Sequence, residues 1–251
     1  MSQATPSKTQ QPKVSLKPLG WVQSIAIFGF FSVLLWLAIY SGIDWLRRTF
    51  GLASMISWFI SGTLVALLPM IVFTVFRVRS EGAISLYDFA ESLRLRSLKG
   101  ADFGWAVGGF LAVAVFSGLL FGLARIIDPK FLPIPPFMEV PNGKLLWIFL
   151  GWIPLYICNI LGEELLWRGY VLPRQELVFG KSAWLVNGLL WLLFHWSINL
   201  PTMVLILPTT LIVPWIVQRR QNTWVGILIH GLFNALGFIA TVTGITKGLV
   251  A

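Results

Sequence analysis

Five apolar stretches, at 21–43, 54–76, 105–127, 145–162 and 224–245, approach or exceed the roughly 18 to 20 residues that a helix needs to cross a bilayer. Two shorter ones lie at 182–198 and 203–217, the second interrupted by Pro208 and Pro214. A chain that is 57% hydrophobic and 12% charged has about half the charged share of a soluble domain, too little to cover a water-facing surface. The pattern predicts an all-α, polytopic transmembrane bundle of about seven spans (six to eight). The first twenty residues are polar, basic and rich in Pro and Ser, and are expected to be disordered. The apolar run after them is too long for a cleaved signal segment and reads as a retained first span. Residues 21–140 read as N-terminal helices with a loop at 77–104, and residues 141–251 as the segment that carries the chemistry.

Lys and Arg are distributed unevenly between alternate loops. The tail, the 77–104 loop, the 168–181 segment and Arg219–Arg220 hold thirteen, against six on the other side. That bias predicts an integral, multi-pass membrane protein with a cytoplasmic N terminus. The net charge of +9 is therefore mostly a topology signal, and no nucleic-acid partner is expected, because little folded polar surface exists to carry a basic patch. The single cysteine, Cys158, excludes an internal disulfide.

Charged groups at bilayer depth cost roughly 2.5 to 3.5 kcal/mol on insertion scales, which makes them functional candidates. Residues 163 to 234 supply them. Glu163 and Glu164 directly follow an uncharged run from Leu145 to Gly162. On a helix Glu164 and Arg168 share a face, acid N-terminal to base, and form a structural pair. Glu163, rotated about 100 degrees away, keeps an uncommitted carboxylate suited to a general base. A wetted interfacial position with Arg168 snorkelling is the bland alternative. His230 and Asn234, four apart on an apolar helix, offer two donors aimed at one point, as an oxyanion site requires; hydrogen-bonded glue between helices is the alternative. His195 is the third group, carried on another span, with Asn199 four residues on and Asn187 eight back.

The stretches GEELLWRGYVLP, WLLFH and HGLFNALG resemble the three motifs of the CPBP (CAAX protease and bacteriocin-processing, Abi-type) family of intramembrane proteases. Glu163-Glu164-x-x-x-Arg168 and His230-x-x-x-Asn234 match in full. Trp191 stands where that family usually has Phe ahead of His195. The resemblance covers about residues 145 to 245. It implies a helical bundle with a polar intramembrane cavity and hydrolysis of a peptide bond by a glutamate-activated water. Glu163 would be the base, helped by His195, with His230 and Asn234 holding the oxyanion and Glu164–Arg168 the structural pair.

The expected substrate is a peptide or lipidated protein presented from the lipid bilayer. No cofactor is expected. The alternative is zinc held by Glu163, His195 and His230, a His₂Glu set, although no familiar zinc spacing is present, and Glu163 cannot be both ligand and free base. Two other functions compete. One is a catalytically silent scaffold or bacteriocin-immunity factor of the same fold that binds a partner through the 77–104 loop, a segment that suits an interfacial amphipathic helix, with a solvated connector as the bland alternative. The other is a proton- or ion-coupled transporter, which usually shows an inverted repeat.

Overall fold

The computed structural model describes residues 15–139 and 145–243. Among these every regular element is helical. Six runs are long and apolar enough to cross a membrane: Trp21–Phe50, Ser54–Ser80, Gly100–Ile127, Leu146–Ser197, Leu200–Arg220 and Thr223–Val242. The fourth has 52 residues, more than twice what a bilayer requires. It folds back at Gly180, whose φ of +54° favours a residue without a Cβ. Across that turn Trp167 meets Asn187 and Glu163 meets Trp191, pairings whose residue numbers fall on one side as they rise on the other. The two legs are thus antiparallel, and six runs provide seven legs, the number expected from the sequence.

We label the helices α1 (Trp21–Phe50), α2 (Ser54–Ser80), α3 (Leu86–Ser92), α4 (Gly100–Ile127), α5 (residues 145–179), α6 (Ala183–Phe194), α7 (Leu200–Arg220) and α8 (Thr223–Val242). Several differ from the apolar stretches at their ends. Helix α1 runs on to Phe50 and closes on Gly51, at φ +65°. Helix α4 starts at Gly100 because the Asp102 carboxylate accepts from the Lys99 backbone N–H, a cap that hydropathy does not register. Pro208 and Pro214 do not split α7, since neighbouring helices tolerate the missing hydrogen bonds. The last expected span reached Ile245; α8 is described to Val242, and residues 244–251 lie outside the described residues.

Side chains on α4 show where lipid belongs. Val107, Leu111, Val115, Leu119 and Leu123, one face at four-residue spacing, are each more than half exposed. In water such a stripe would be a large apolar patch; in a bilayer it faces acyl chains. The opposite face of α4 packs antiparallel on α7, with Ser117 donating to the Leu205 carbonyl and Arg220 to Asp102. Helices α6 and α7 cross so closely that a Cβ on Gly188 would lie 2.3 Å from the Thr210 carbonyl oxygen. Small residues at such crossings let membrane helices approach.

Three sequence expectations change. Residues 1–14 of the tail lie outside the described residues, but at its end Leu19 is buried and its N–H donates to the Arg174 carbonyl. Arg168 and Arg174, counted above as loop charges, are fully buried. Arg174 pairs with Glu81 and also donates to the Tyr170 carbonyl, so neither residue reports on topology. Finally, the 77–104 segment is more than an interfacial helix or a solvated connector. Helix α3 does present Leu86 and Tyr87 outward. The residues after it are clamped: Leu93 is buried, its carbonyl accepts from the Thr223 hydroxyl, and Arg94 forks onto both Glu176 oxygens at 2.7 and 2.9 Å. This strap ties the N terminus of α8 to the end of α5.

Candidate active site

Helix α5 changes character at the glutamate pair. Leu145–Glu163 is α-helical, Glu164–Val171 forms a wider π-helical segment, and Leu172–Phe179 is α-helical again. Such π segments often mark functional sites and leave backbone carbonyls in search of donors. Here Asn187 donates to the Trp167 carbonyl at 3.0 Å and Arg174 to that of Tyr170 at 2.7 Å. Glu163 and Glu164, at the junction, are both buried and face different helices.

Glu164 faces α8. Its Oε1 accepts from His230 Nδ1 at 2.9 Å and lies 3.3 Å from Arg168 Nη1. The expected Glu164–Arg168 pair is therefore present, with His230 as a third member. Arg168 is fully buried, its nitrogens have no aligned hydrogen-bond acceptor, and its guanidinium lies 3.4 Å over the Trp191 ring. Gly226 makes room for this cluster, since a Cβ there would sit 2.5 Å from Glu164 Oε2.

Glu163 faces α6. Its Oε2 accepts from the Trp191 indole N–H and lies 3.9 Å from His195 Nε2. Its Oε1 accepts from the Asn159 amide, one turn earlier on α5. His195 closes α6 in a short 3₁₀ turn, and its Nδ1 donates to the Trp191 carbonyl at 2.9 Å. A carbonyl only accepts, so in the neutral ring the proton is on Nδ1 and Nε2 is a free acceptor facing Glu163. A water about 2.8 Å from both Glu163 Oε2 and His195 Nε2 would see them at an angle of about 90 degrees, close to its own hydrogen directions.

Asn234 joins the two halves. Its amide nitrogen donates to Asn159 Oδ1 at 2.8 Å and contacts His230 Nε2 at 3.1 Å. A continuous chain of contacts thus runs Glu164–His230–Asn234–Asn159–Glu163. All but Glu164 line one cavity of about 330 Å³, together with His195 and Trp191. Its outer wall is apolar and aromatic, including Trp152 stacked on Phe238 with ring centroids 4.2 Å apart.

The structure thus brings Glu163, His195, His230 and Asn234 into one cavity and puts Glu164 and Arg168 directly behind it. Asn199 is elsewhere, capping α7 by accepting from the Thr202 N–H. Two cavity residues went unrecognised in the sequence. Asn159 is four residues before Glu163, a polar group on the same face of an otherwise apolar run, and that spacing was the available signal. Trp191 was visible only as a retained aromatic.

The donor set does not fit a zinc site. Among the described residues no three His, Cys, Asp or Glu side chains gather as metal ligands. His230 directs Nδ1 to Glu164 and Nε2 to Asn234, not to a point shared with Glu163 and His195.

Residues 144–236 match the family model for type II CAAX prenyl endopeptidase Rce1-like proteins. This segment is similar to that family, and the match spans the glutamate pair, both histidines and Asn234. No curated protein and no solved structure matches the chain.

Proposed function

We propose that the protein is an intramembrane endopeptidase that cleaves a peptide bond of a membrane-associated or lipidated substrate with water activated by Glu163. The observation that carries this reading is the buried Glu163 carboxylate 3.9 Å from His195 Nε2, in a cavity shared with His230 and Asn234.

A water between Glu163 and His195 gives its proton to the Glu163 carboxylate as its oxygen bonds to the scissile carbonyl carbon. Holding His195 through Nδ1 keeps Nε2 as a second acceptor that orients the water. Negative charge then develops on the carbonyl oxygen, where hydrogen-bond donors lower the barrier. Asn234 and His230 line the cavity; the Asn234 N–H groups are held by Asn159 Oδ1 and His230 Nε2, so Asn234 serves the oxyanion by turning one of them away from its present partner when substrate binds. Collapse of the tetrahedral adduct breaks the C–N bond, and Glu163 returns its proton to the leaving nitrogen. The apolar wall receives lipid-like or apolar parts of the substrate. Following the Lys/Arg bias, the N terminus and the α3 strap lie on the cytoplasmic side.

The test is hydrolysis of prenylated and unprenylated peptides by purified protein, comparing Glu163→Gln with the parent, each with and without chelator. Glu163→Gln is expected to abolish turnover while the protein stays folded, and chelator is expected to change nothing. Turnover that survives Glu163→Gln refutes the assigned base; loss under chelator alone restores the zinc alternative; no turnover from the parent on any substrate favours the silent scaffold.

A further inference from the structure

We infer that Trp191 is a positioning residue for the Glu163 carboxylate, acting through its indole N–H. The inference rests on the reading of Glu163 as the base.

Trp191 is 1% exposed and sits at the centre of the site. Its Nε1 donates to Glu163 Oε2, its ring face receives the Arg168 guanidinium at 3.4 Å, and its carbonyl holds His195 Nδ1 at 2.9 Å. Its ring also meets that of His230 edge-on, with centroids 5.2 Å apart. Phenylalanine, the motif residue at this place, keeps the ring face and the backbone carbonyl but has no donor. The tryptophan therefore adds a larger ring and one hydrogen-bond donor, the N–H.

The added donor has a directional effect. A carboxylate oxygen has two lone-pair directions. The indole occupies one on Oε2, leaving the other for the His195 side, where the proposed mechanism puts its water. The Asn159 amide holds Oε1 from α5 itself. Two donors on two helices stop the carboxylate from rotating about its terminal torsion, which is otherwise broad. A base fixed in this way meets its water without reorganisation, and misplacing such a group costs rate more than binding.

Trp191→Phe removes the N–H together with the second ring and keeps an aromatic face for Arg168. Misplacing a reacting group by about 1 Å can cost roughly 100-fold in rate, so kcat should fall by about 10- to 100-fold with KM within twofold. A kcat within twofold of the parent, or a rise in KM alone, overturns the inference. A second readout does not need turnover. In folded protein with ¹⁵N-labelled indoles, the Trp191 peak is identified by its absence from Trp191→Phe. It should move on Glu163→Leu by more than the peaks of the other tryptophans; a stationary peak overturns the inference. If the parent and Glu163→Gln hydrolyse peptides equally, the base assignment fails and the inferred role falls with it. A moving peak would then leave only the contact.

Discussion

Replacing Glu164 by Gln separates the two glutamates most sharply. Arg168 has no exposed surface, and none of its nitrogens has an aligned acceptor. What offsets its charge is Glu164 at 3.3 Å, with the Trp191 face at 3.4 Å as a weaker partner. Glutamine keeps the shape of glutamate and an oxygen for His230 Nδ1, but removes the counter-charge. Breaking a buried ion pair by removing one partner costs about 3–5 kcal/mol, because a desolvated charge is stranded. The desolvated cation–π contact contributes about 2 kcal/mol or more and is present in both forms, so it does not lower the difference. The expected loss is therefore about 3–5 kcal/mol, read by reversible unfolding in mixed detergent. Adding Arg168→Met should restore part of it, since the stranded guanidinium is removed, while the buried Glu163 carboxylate loses a nearby cation. A Glu164→Gln protein within about 1 kcal/mol of the parent, or a double variant no more stable than the single, would refute the ion-pair account.

Gly226→Ala puts a methyl 2.5 Å from Glu164 Oε2 and 2.9 Å from a Val217 methyl. It should destabilise by about 1–3 kcal/mol through overpacking, and Gly226→Ala with Glu164→Ala should recover part of this in the same unfolding assay. Arg94→Ala removes the fork onto Glu176, in which both side chains are mostly buried. With charged hydrogen bonds worth about 1.5–3 kcal/mol, the strap should open, and limited proteolysis should cut between residues 81 and 99 faster than in the parent. Asn159→Leu should lower kcat about as much as Trp191→Phe, since it frees the other oxygen of Glu163; equal turnover by variant and parent would remove Asn159 from the site.

The apolar stretches made the bundle legible because a bilayer dictates segment length, and length is a property of sequence alone. Their ends were less legible. Helix α4 begins at Gly100 because Asp102 caps it, and α7 continues through two prolines because neighbours tolerate the lost hydrogen bonds. The charge count erred for Arg168 and Arg174 because a tally of loop residues cannot see Glu164 or Glu81 beside them. Asn159 was readable by its spacing from Glu163. The strap at residues 93–96 was not, because its partners Glu176, Asn222 and Thr223 lie some 80 to 130 residues away.

By itself the sequence determined the membrane class, the approximate number of legs and the identity of six polar residues. Each follows from a local quantity: hydropathy over a window, or the spacing of scarce charges in apolar chain. Only the tertiary structure decided which oxygen of which glutamate meets which helix. The widening at Glu164–Val171 and the fold-back at Gly180 turn Glu163 toward Trp191 and His195, and Glu164 toward His230 and Arg168. Side-chain direction at a π segment depends on the helices packed against it, and no spacing rule along one chain contains them.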